Sequence, residues 1–230
     1  MRTNAEMIAN LSPSTPLIAD ADTGYGGPIN VARTVEMYAR SGVAGLHLED
    51  QVVTKRCGHL GGKELVPLEV FVSRIRAAVQ ARQRIGSDIV IIARTDALAV
   101  DGFEEALKRL RAARDAGADV GFLEGVSSVE MMRRVNLDLE GWPLLLNMVE
   151  GSVTPHVSAE EAREFGYRII IYPLVACAAV YGAMKAGMER LKETGRMGHD
   201  EKMTVGFFFG EMGLEESMRI DAEAGGKAFN

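Results

Sequence analysis

Short apolar runs recur along the chain at intervals of about 25 to 30 residues. Each is about four to six residues long, is rich in isoleucine, valine and leucine, and shows no polar alternation. The segments that hold them begin at Pro16, Gly42, Asp88, Asp119, Pro143 and Tyr167. Parallel strands covered on both faces have this pattern. The runs therefore predict six buried strands.

Segments with helical periodicity separate these runs. INVARTVEMYARSG (29–42) and FEEALKRLRAARDAG (103–117) both end at glycine, a common helix stop. Two further helices are predicted over 158–165 and 174–194. A strand followed by a helix, repeated six times, predicts a parallel sheet with right-handed crossovers. Because no linker-like or low-complexity stretch interrupts this order, residues 1–230 are predicted to form a single domain.

Almost every predicted strand ends in charged or polar side chains. They are Asp20, Asp22, Glu49, Asp50, Arg94, Asp96, Glu124, Asn147 and Glu150. Ionised groups beside an apolar strand are costly to desolvate unless they are paired or bind a metal. Strand ends of this kind are typical of the active face of a (β/α)8 barrel. A dinucleotide-binding sheet fits less well, because TGYGG (23–27) does not match its glycine pattern.

Four of these carboxylates are candidate metal ligands. Asp20 and Asp22 lie at the end of one predicted strand, and Glu49 and Glu124 are oxygen donors from two others. Oxygen donors suit Mg²⁺, with Mn²⁺ as the alternative, held partly through water. Two neighbouring polar residues are candidates for substrate binding. Arg94 offers a forked donor for a carboxylate, and Asn147 offers a neutral donor.

The run TKRCGHLGGK (54–63) places a thiol among cations and glycines. Lys55, Arg56 and His59 flank Cys57, and neighbouring cations favour a thiolate. Glycines at 58, 61 and 62 allow the segment to move and to approach a ligand closely. The pattern indicates an acid–base group delivered when a loop closes. A covalent thioester is the other possibility.

Several of these residues also have purely structural interpretations. Taken singly, Cys57 is more often inert than catalytic, and mid-strand His47 is more often packed than a ligand. The structural interpretation of Asp50 and Asp96 is that they cap the following helices or pair with arginines. Cys177, in the apolar run LVACAAV, is predicted to lie in the core. The functional interpretation rests on the whole set of costly groups at successive strand ends.

Composition and charge narrow the class of partner. The chain has 230 residues, 47% of them hydrophobic and 25% charged, with a net charge of −6. Interspersed charges of acidic balance disfavour nucleic acid or an anionic membrane as a partner. No apolar run has the length of a spanning helix, and the first residues lack the order of a secretory signal. Two cysteines make no disulfide framework, which indicates a reducing compartment, the cytosol.

Five motifs together carry a resemblance to a known family. They are ADADTGYG (19–26), GLHLEDQV (45–52), KRCGHLGGKEL (55–65), IIARTDAL (91–98) and NMVEG (147–151). In this order and spacing, the chain from Pro16 to its end resembles the isocitrate lyase and phosphoenolpyruvate mutase superfamily. KRCGH after a strand ending in ED is similar to the lyase branch. That branch includes 2-methylisocitrate lyase, dimethylmalate lyase and oxaloacetate acetylhydrolase.

The resemblance implies a metal role for four residues. Asp22 matches the direct Mg²⁺ ligand, and Asp20 lies beside it in the same metal shell. Glu49 and Glu124 match the carboxylates that hold the water molecules of the metal.

The resemblance also implies roles around the substrate. Cys57 matches the loop thiol that protonates the carbanion or enolate left by bond cleavage, with Lys55 and His59 as its companions. The substrate-binding residues that it implies are Arg94, Asn147, Gly58 and His59.

The implied activity is an Mg²⁺-dependent carbon–carbon lyase. Its substrate would be a small 2-hydroxy or 2-oxo di- or tricarboxylic acid of the 2-methylisocitrate or dimethylmalate type. One alternative is an oxaloacetate acetylhydrolase, in which the same metal cage recruits water. Another is a truncated, non-catalytic paralogue that acts as a binding or oligomer subunit.

The resemblance assigns this chain strands three to eight of a barrel, because family members begin with two further βα units. The expected fold is therefore an incomplete (β/α)8 TIM-type barrel of about six βα units. A misassigned start, a short form that closes its sheet through a partner, and a catalytically degraded relative all remain open as explanations. The family exchanges C-terminal helices between subunits, which implies a homo-oligomer, either a dimer or a tetramer.

Overall fold

The computed structural model describes residues 1–198 and 202–227. The chain divides into two compact units, Met1–Leu174 and Val175–Asn230. A single domain over 1–230 stays a prediction, as does the exchange of C-terminal helices between subunits.

The first unit is built on a six-stranded parallel sheet in which each strand pairs with the next along the chain. The strands are β1 (Ile18–Asp20), β2 (Gly45–Glu49), β3 (Val90–Thr95), β4 (Val120–Leu123), β5 (Leu144–Asn147) and β6 (Ile169–Ile171). All six predicted strands are present. They form a curled half-barrel with helices, so the prediction of an incomplete TIM-type α/β barrel is confirmed.

Six helices belong to this unit. They are α1 (Arg2–Ala9), α2 (Pro28–Arg40), α3 (Leu68–Arg84), α4 (Phe103–Asp115), α5 (Val129–Asp138) and α6 (Ala159–Glu164), with a short 3-10 turn at Ala97–Ala99. Local sequence explains several boundaries. Proline at the first position starts α2, and Ser158 with Glu161 forms a capping box at the start of α6.

The two faces of the sheet carry different apolar clusters, because alternate strand residues point to opposite sides. Leu46 and Leu48 of β2 pack in one cluster with Phe71 of α3. Ile92 of β3 and Phe122 of β4 belong to a separate cluster of strand residues, on the inner face of the curl. Helices therefore cover the outer face, while the inner face is filled by strand side chains alone.

The described residues of the second unit form helices α7 (Val175–Thr194), α8 (Val205–Glu211) and α9 (Leu214–Glu223). The prediction that Cys177 lies in the core is wrong, because this thiol is exposed. The reason is that none of the described side chains of α7 is buried, although its sequence is largely apolar. Over the described ranges, the chain holds no helix whose length and apolarity would let it cross a membrane.

Candidate active site

The polar residues at the strand ends lie on the same inner face as the apolar strand residues two positions before them. Arg94 follows Ile92 by two positions, Glu124 follows Phe122, and Asn147 follows Leu145. The guanidinium carbon of Arg94 lies 5.0 Å from the centroid of the Phe122 ring, which shows that they share this face. The polar groups thus continue the inner cluster at the carboxyl ends of the strands. This is the edge where a parallel α/β barrel places its chemistry.

Asp20 and Asp22 form a tight turn at the end of β1. The backbone N–H of Asp22 donates to Oδ1 of Asp20 at 2.7 Å, and Asp22 has a positive φ of 46°. A left-handed backbone is uncommon for a residue with a side chain, although aspartate tolerates it better than most. The carbonyl of Asp22 accepts from the backbone N–H of Glu49 at 2.9 Å. The turn is therefore tied to the end of β2.

Lys55 joins the carboxylates of two strands. Its Nζ lies 2.7 Å from Oδ1 of Asp22 and 3.3 Å from Oε2 of Glu49. The side chain of Glu49 is fully buried. Burial raises the pKa of Glu49 to about 7, against the opposing pull of Arg94 and Lys55. A carboxylate in this setting gains from any further cation placed beside it.

Arg94 connects three acids. Its Nε and Nη2 donate to the two oxygens of Asp96 at 2.9 and 3.2 Å. The same guanidinium lies 3.4 Å from Oε2 of Glu49 and 3.3 Å from Oε2 of Glu124. Burial lowers the pKa of Arg94, but Glu124 and Asp96 outweigh that effect and raise it above its usual range. Arg94 is therefore a permanent cation at the centre of the site.

Glu124, just after β4, is approached from two sides. Asn147 Nδ2 donates to its Oε2 at 3.2 Å. His59 Nε2 lies 3.4 Å from its Oε1, within ion-pair distance but without hydrogen-bond alignment. Oε1 of Glu124 and Oε1 of Glu49 are buried and accept no hydrogen bond. Oδ1 of Asn147 is likewise buried without a donor.

The loop that carries Cys57 has a fixed base. The backbone N–H of Val52 donates to the carbonyl of Glu64 at 2.9 Å, and Gln51 forms an antiparallel bridge with Leu65. The buried amide of Gln51 also exchanges two hydrogen bonds, of 3.0 and 3.1 Å, with the backbone of Arg56. The segment between these anchors is a surface loop whose ends are held together.

The loop lies over the acids at Gly58. A Cβ placed on Gly58 would stand 2.3 Å from Nη2 of Arg94 and 2.9 Å from Cγ of Glu124. Glycine is therefore required for this close approach. Cys57 is exposed on the same loop. Its neighbours Lys55 and His59 direct their side chains to the carboxylates of Asp22 and Glu124.

Asp50, Asp96 and His47 all make structural contacts. Asp50 and Asp96 pair with arginines: Asp50 lies 3.2 Å from Arg109, and Asp96 binds Arg94 through both oxygens. Buried His47 packs edge to face on Phe122, with ring centroids 5.8 Å apart. Burial lowers the pKa of His47, despite Asp20 at 3.4 Å from its Nδ1. His47 is therefore packed, as the sequence predicts, although its buried Nδ1 makes no hydrogen bond.

The four acids supply carboxylate oxygens, the type of donor that Mg²⁺ prefers in proteins. Among residues 1–198 and 202–227, no three His, Cys, Asp or Glu side chains stand together as a metal-binding group. Side-chain cations lie between the acids. Lys55 contacts both Asp22 and Glu49, and Arg94 contacts both Glu49 and Glu124. Buried acceptors without partners on both glutamates nevertheless fit an ion held through water.

The strand-end residues follow from the sequence, but the side chains that hold them in place do not. Gln51 and Lys63 anchor the loop, and Arg109 pairs with Asp50. Lys63 ends the run TKRCGHLGGK, and its position in a glycine-rich loop suggests solvent exposure. No signal in the sequence marks it as buried, because its partners come from residues distant along the chain.

The chain is similar to known proteins in sequence and in structure. A family model described as phosphoenolpyruvate phosphomutase matches residues 1–192. The 2,3-dimethylmalate lyase of Eubacterium barkeri is 41% identical over 229 residues, which cover 95% of this chain and 77% of that protein.

Two solved structures are similar over the whole chain. A crystal structure of 2,3-dimethylmalate lyase superposes with a TM-score of 0.97 at 66% identity, covering 100% of this chain and 76% of the other. A structure of oxaloacetate acetylhydrolase in complex with the inhibitor 3,3-difluorooxalacetate superposes with a TM-score of 0.96 at 54% identity, covering 100% and 77%. The chain thus spans about three quarters of the length of these proteins.

Proposed function

Because the chain belongs to the phosphoenolpyruvate mutase/isocitrate lyase superfamily, we propose that it is an Mg²⁺-dependent carbon–carbon lyase. Its substrate is a small 2-hydroxy or 2-oxo di- or tricarboxylic acid, of the 2,3-dimethylmalate or 2-methylisocitrate type. The 2,3-dimethylmalate lyase relatives support the class of reaction. The metal ion, the role of the loop thiol and the choice of substrate go beyond that class.

The observation that carries the proposal is the convergence of acidic oxygens and one guanidinium at the ends of neighbouring strands. Glu49 and Glu124 lie on either side of Arg94, and each keeps a buried oxygen that accepts no hydrogen bond. Unpartnered buried acceptors are costly. A cation with its bound water would satisfy them. The arrangement supports a site that grips a carboxylate beside a divalent ion.

Mg²⁺, or Mn²⁺ in its place, would be held by Asp22 and Asp20, with Glu49 and Glu124 binding its water. When bound, the ion supplies Lewis-acid stabilisation of negative charge on oxygen. The side chains of Asp20 and Asp22 are 41% and 29% exposed, which leaves access for an ion and its water. Arg94 binds a substrate carboxylate through its fork, and Asn147 adds a neutral donor.

The loop supplies the proton that completes the reaction. A base removes the substrate hydroxyl proton, the C–O bond becomes a carbonyl, and the C2–C3 bond breaks with its electron pair left on C3. Cys57 donates its S–H proton to that carbon, and the proton held by the base returns through water to the thiolate before the next turnover. Gly58 brings the loop backbone against Arg94, while Lys55 and His59 seat the loop on the acids. Closure keeps bulk water from the carbanion.

The test is release of pyruvate from 2,3-dimethylmalate and 2-methylisocitrate by the full chain. Assays with MgCl₂ and with EDTA separate metal-dependent turnover from background. We expect pyruvate from at least one of the two acids, only when Mg²⁺ is present. A folded preparation that binds Mg²⁺ but converts neither acid would contradict the lyase and favour a non-catalytic binding subunit.

Oxaloacetate hydrolysis is the second candidate, favoured by the similarity to oxaloacetate acetylhydrolase. That reaction adds water to the 2-oxo carbon and breaks the C2–C3 bond, so oxalate leaves and the carbanion on C3 takes a proton to become acetate. The same acids and loop would serve it. Oxalate release from oxaloacetate, without pyruvate release from the hydroxy acids, would assign the hydrolase instead.

A further inference from the structure

Lys63 is a buried lysine at the end of the Cys57 loop. Only 4% of its side chain is exposed. Its Nζ donates to the carbonyl of Gly58 at 2.7 Å and to Oδ1 of Asp96 at 3.0 Å. An ammonium group is rarely buried unless it is paired, so this placement depends on both partners.

These contacts connect the loop tip to the substrate-binding arginine. Asp96 is fully buried and binds Lys63 with the same oxygen, Oδ1, that accepts from Nη2 of Arg94. Its other oxygen accepts from Nε of Arg94. Burial raises the pKa of Asp96, but Arg94 and Lys63 outweigh it and keep the group ionised. A continuous series of hydrogen bonds thus runs from the Gly58 carbonyl through Lys63 and Asp96 to Arg94.

We propose that Lys63 is a positioning residue that holds the 55–63 loop over the acids and couples its position to Arg94. The inference rests on the proposed function for its catalytic consequence. Without the ammonium, the Gly58 carbonyl loses its buried donor. The loop keeps its side-chain contacts with the acids through Lys55 and His59, the Gln51 anchor at its start and the backbone bridge at its base, but the bond to the backbone of its tip is lost. The tip next to Cys57 would then spend more time away from the site.

Substitution of Lys63 leaves the fixed part of the site in place. In Lys63→Met, a side chain of similar length fills the same space without a charge. Asp96 retains both bonds to Arg94 and its backbone N–H bond to Asp50, so no buried carboxylate is left without a partner. The expected effect is therefore confined to the loop.

Arg56→Met is the matched control. Arg56 lies on the same loop and carries the same charge, but its side chain is exposed, and its guanidinium makes a 3.4 Å contact with the Gly61 carbonyl. Its backbone, rather than its side chain, binds Gln51.

Hydrogen exchange of peptides spanning residues 52–66, followed by mass spectrometry on the free protein, measures loop opening without turnover. We expect about tenfold faster exchange in Lys63→Met than in the wild type or Arg56→Met, with peptides from α3 unchanged. Lys63→Gln, which keeps an N–H donor, should restore part of the protection. Unchanged exchange across 52–66, or faster exchange in α3 to the same extent, would overturn the proposal.

Kinetics add a second readout with 2,3-dimethylmalate as substrate. A loop that is displaced should lower kcat more than it raises KM, because the proton donor is withdrawn while Arg94 still binds the carboxylate. A lower kcat/KM that comes entirely from a higher KM, with kcat unchanged, would contradict a positioning role. If no variant and no wild type turns over any acid, the proposed function fails while the exchange result still decides the role of Lys63.

Discussion

Arg94 is the residue on which the charge balance of the site depends, since three acids share its guanidinium. Replacing it with glutamine leaves Glu49, Asp96 and Glu124 buried with less positive charge. We expect Arg94→Gln to lower the free energy of unfolding by about 3–5 kcal/mol. Urea denaturation with a common slope measures this change.

Arg134→Gln serves as the control for this loss. Arg134 is largely exposed and pairs on the surface with Glu104 and Asp138. Surface pairs contribute at most about 1 kcal/mol. Equal destabilisation by the two substitutions would show that Arg94 does not hold the buried acids together.

Cys57 is the proposed proton donor of the reaction. A hydroxyl is a much weaker acid than a thiol, so Cys57→Ser should reduce turnover by about a hundredfold or more. The melting temperature should not change, because the thiol is exposed. Cys177→Ser, the other exposed thiol, is expected to keep wild-type turnover. Full activity in Cys57→Ser would remove the thiol from the mechanism.

At the scale of the element, two glycines of the Cys57 loop differ in their surroundings: Gly58 lies against the site and Gly61 does not. Gly58→Ala should lower kcat/KM by about a hundredfold, because its Cβ would collide with Arg94 and Glu124 and lift the loop. Gly61→Ala should behave like the wild type, because nothing lies within 4 Å of its added Cβ. Matching kinetics for the two variants would indicate that the loop does not close as described.

Strands and helices were predictable because their signals are local. Apolar runs marked all six strands, and helical periodicity ending at glycine marked α2 and α4. The contacts of Lys63 with Asp96 and of Asp50 with Arg109 join residues 33 and 59 positions apart. No local pattern encodes such pairs, so the anchors of the loop were found only in the fold.

For the whole molecule, the sequence motifs identified the superfamily, and the comparisons confirm it together with the class of carbon–carbon lyase. The exposure of Cys177 shows the opposite case. An apolar run predicts burial only when something covers it, and the side chains described in α7 are not covered. The metal, the substrate and the oligomeric state stay predictions, because each depends on a partner outside this chain.

The central claim concerns the molecule as a metal-dependent clamp for a small carboxylate. Calorimetric titration of the full chain with oxalate, in MgCl₂ and in EDTA, tests it most directly, with Asp22→Asn as the variant. We predict binding of oxalate in the presence of Mg²⁺, none in EDTA, and at least about tenfold weaker binding in Asp22→Asn. Oxalate binding that is equal with and without the metal, or absent in a folded wild-type protein under both conditions, would contradict the account.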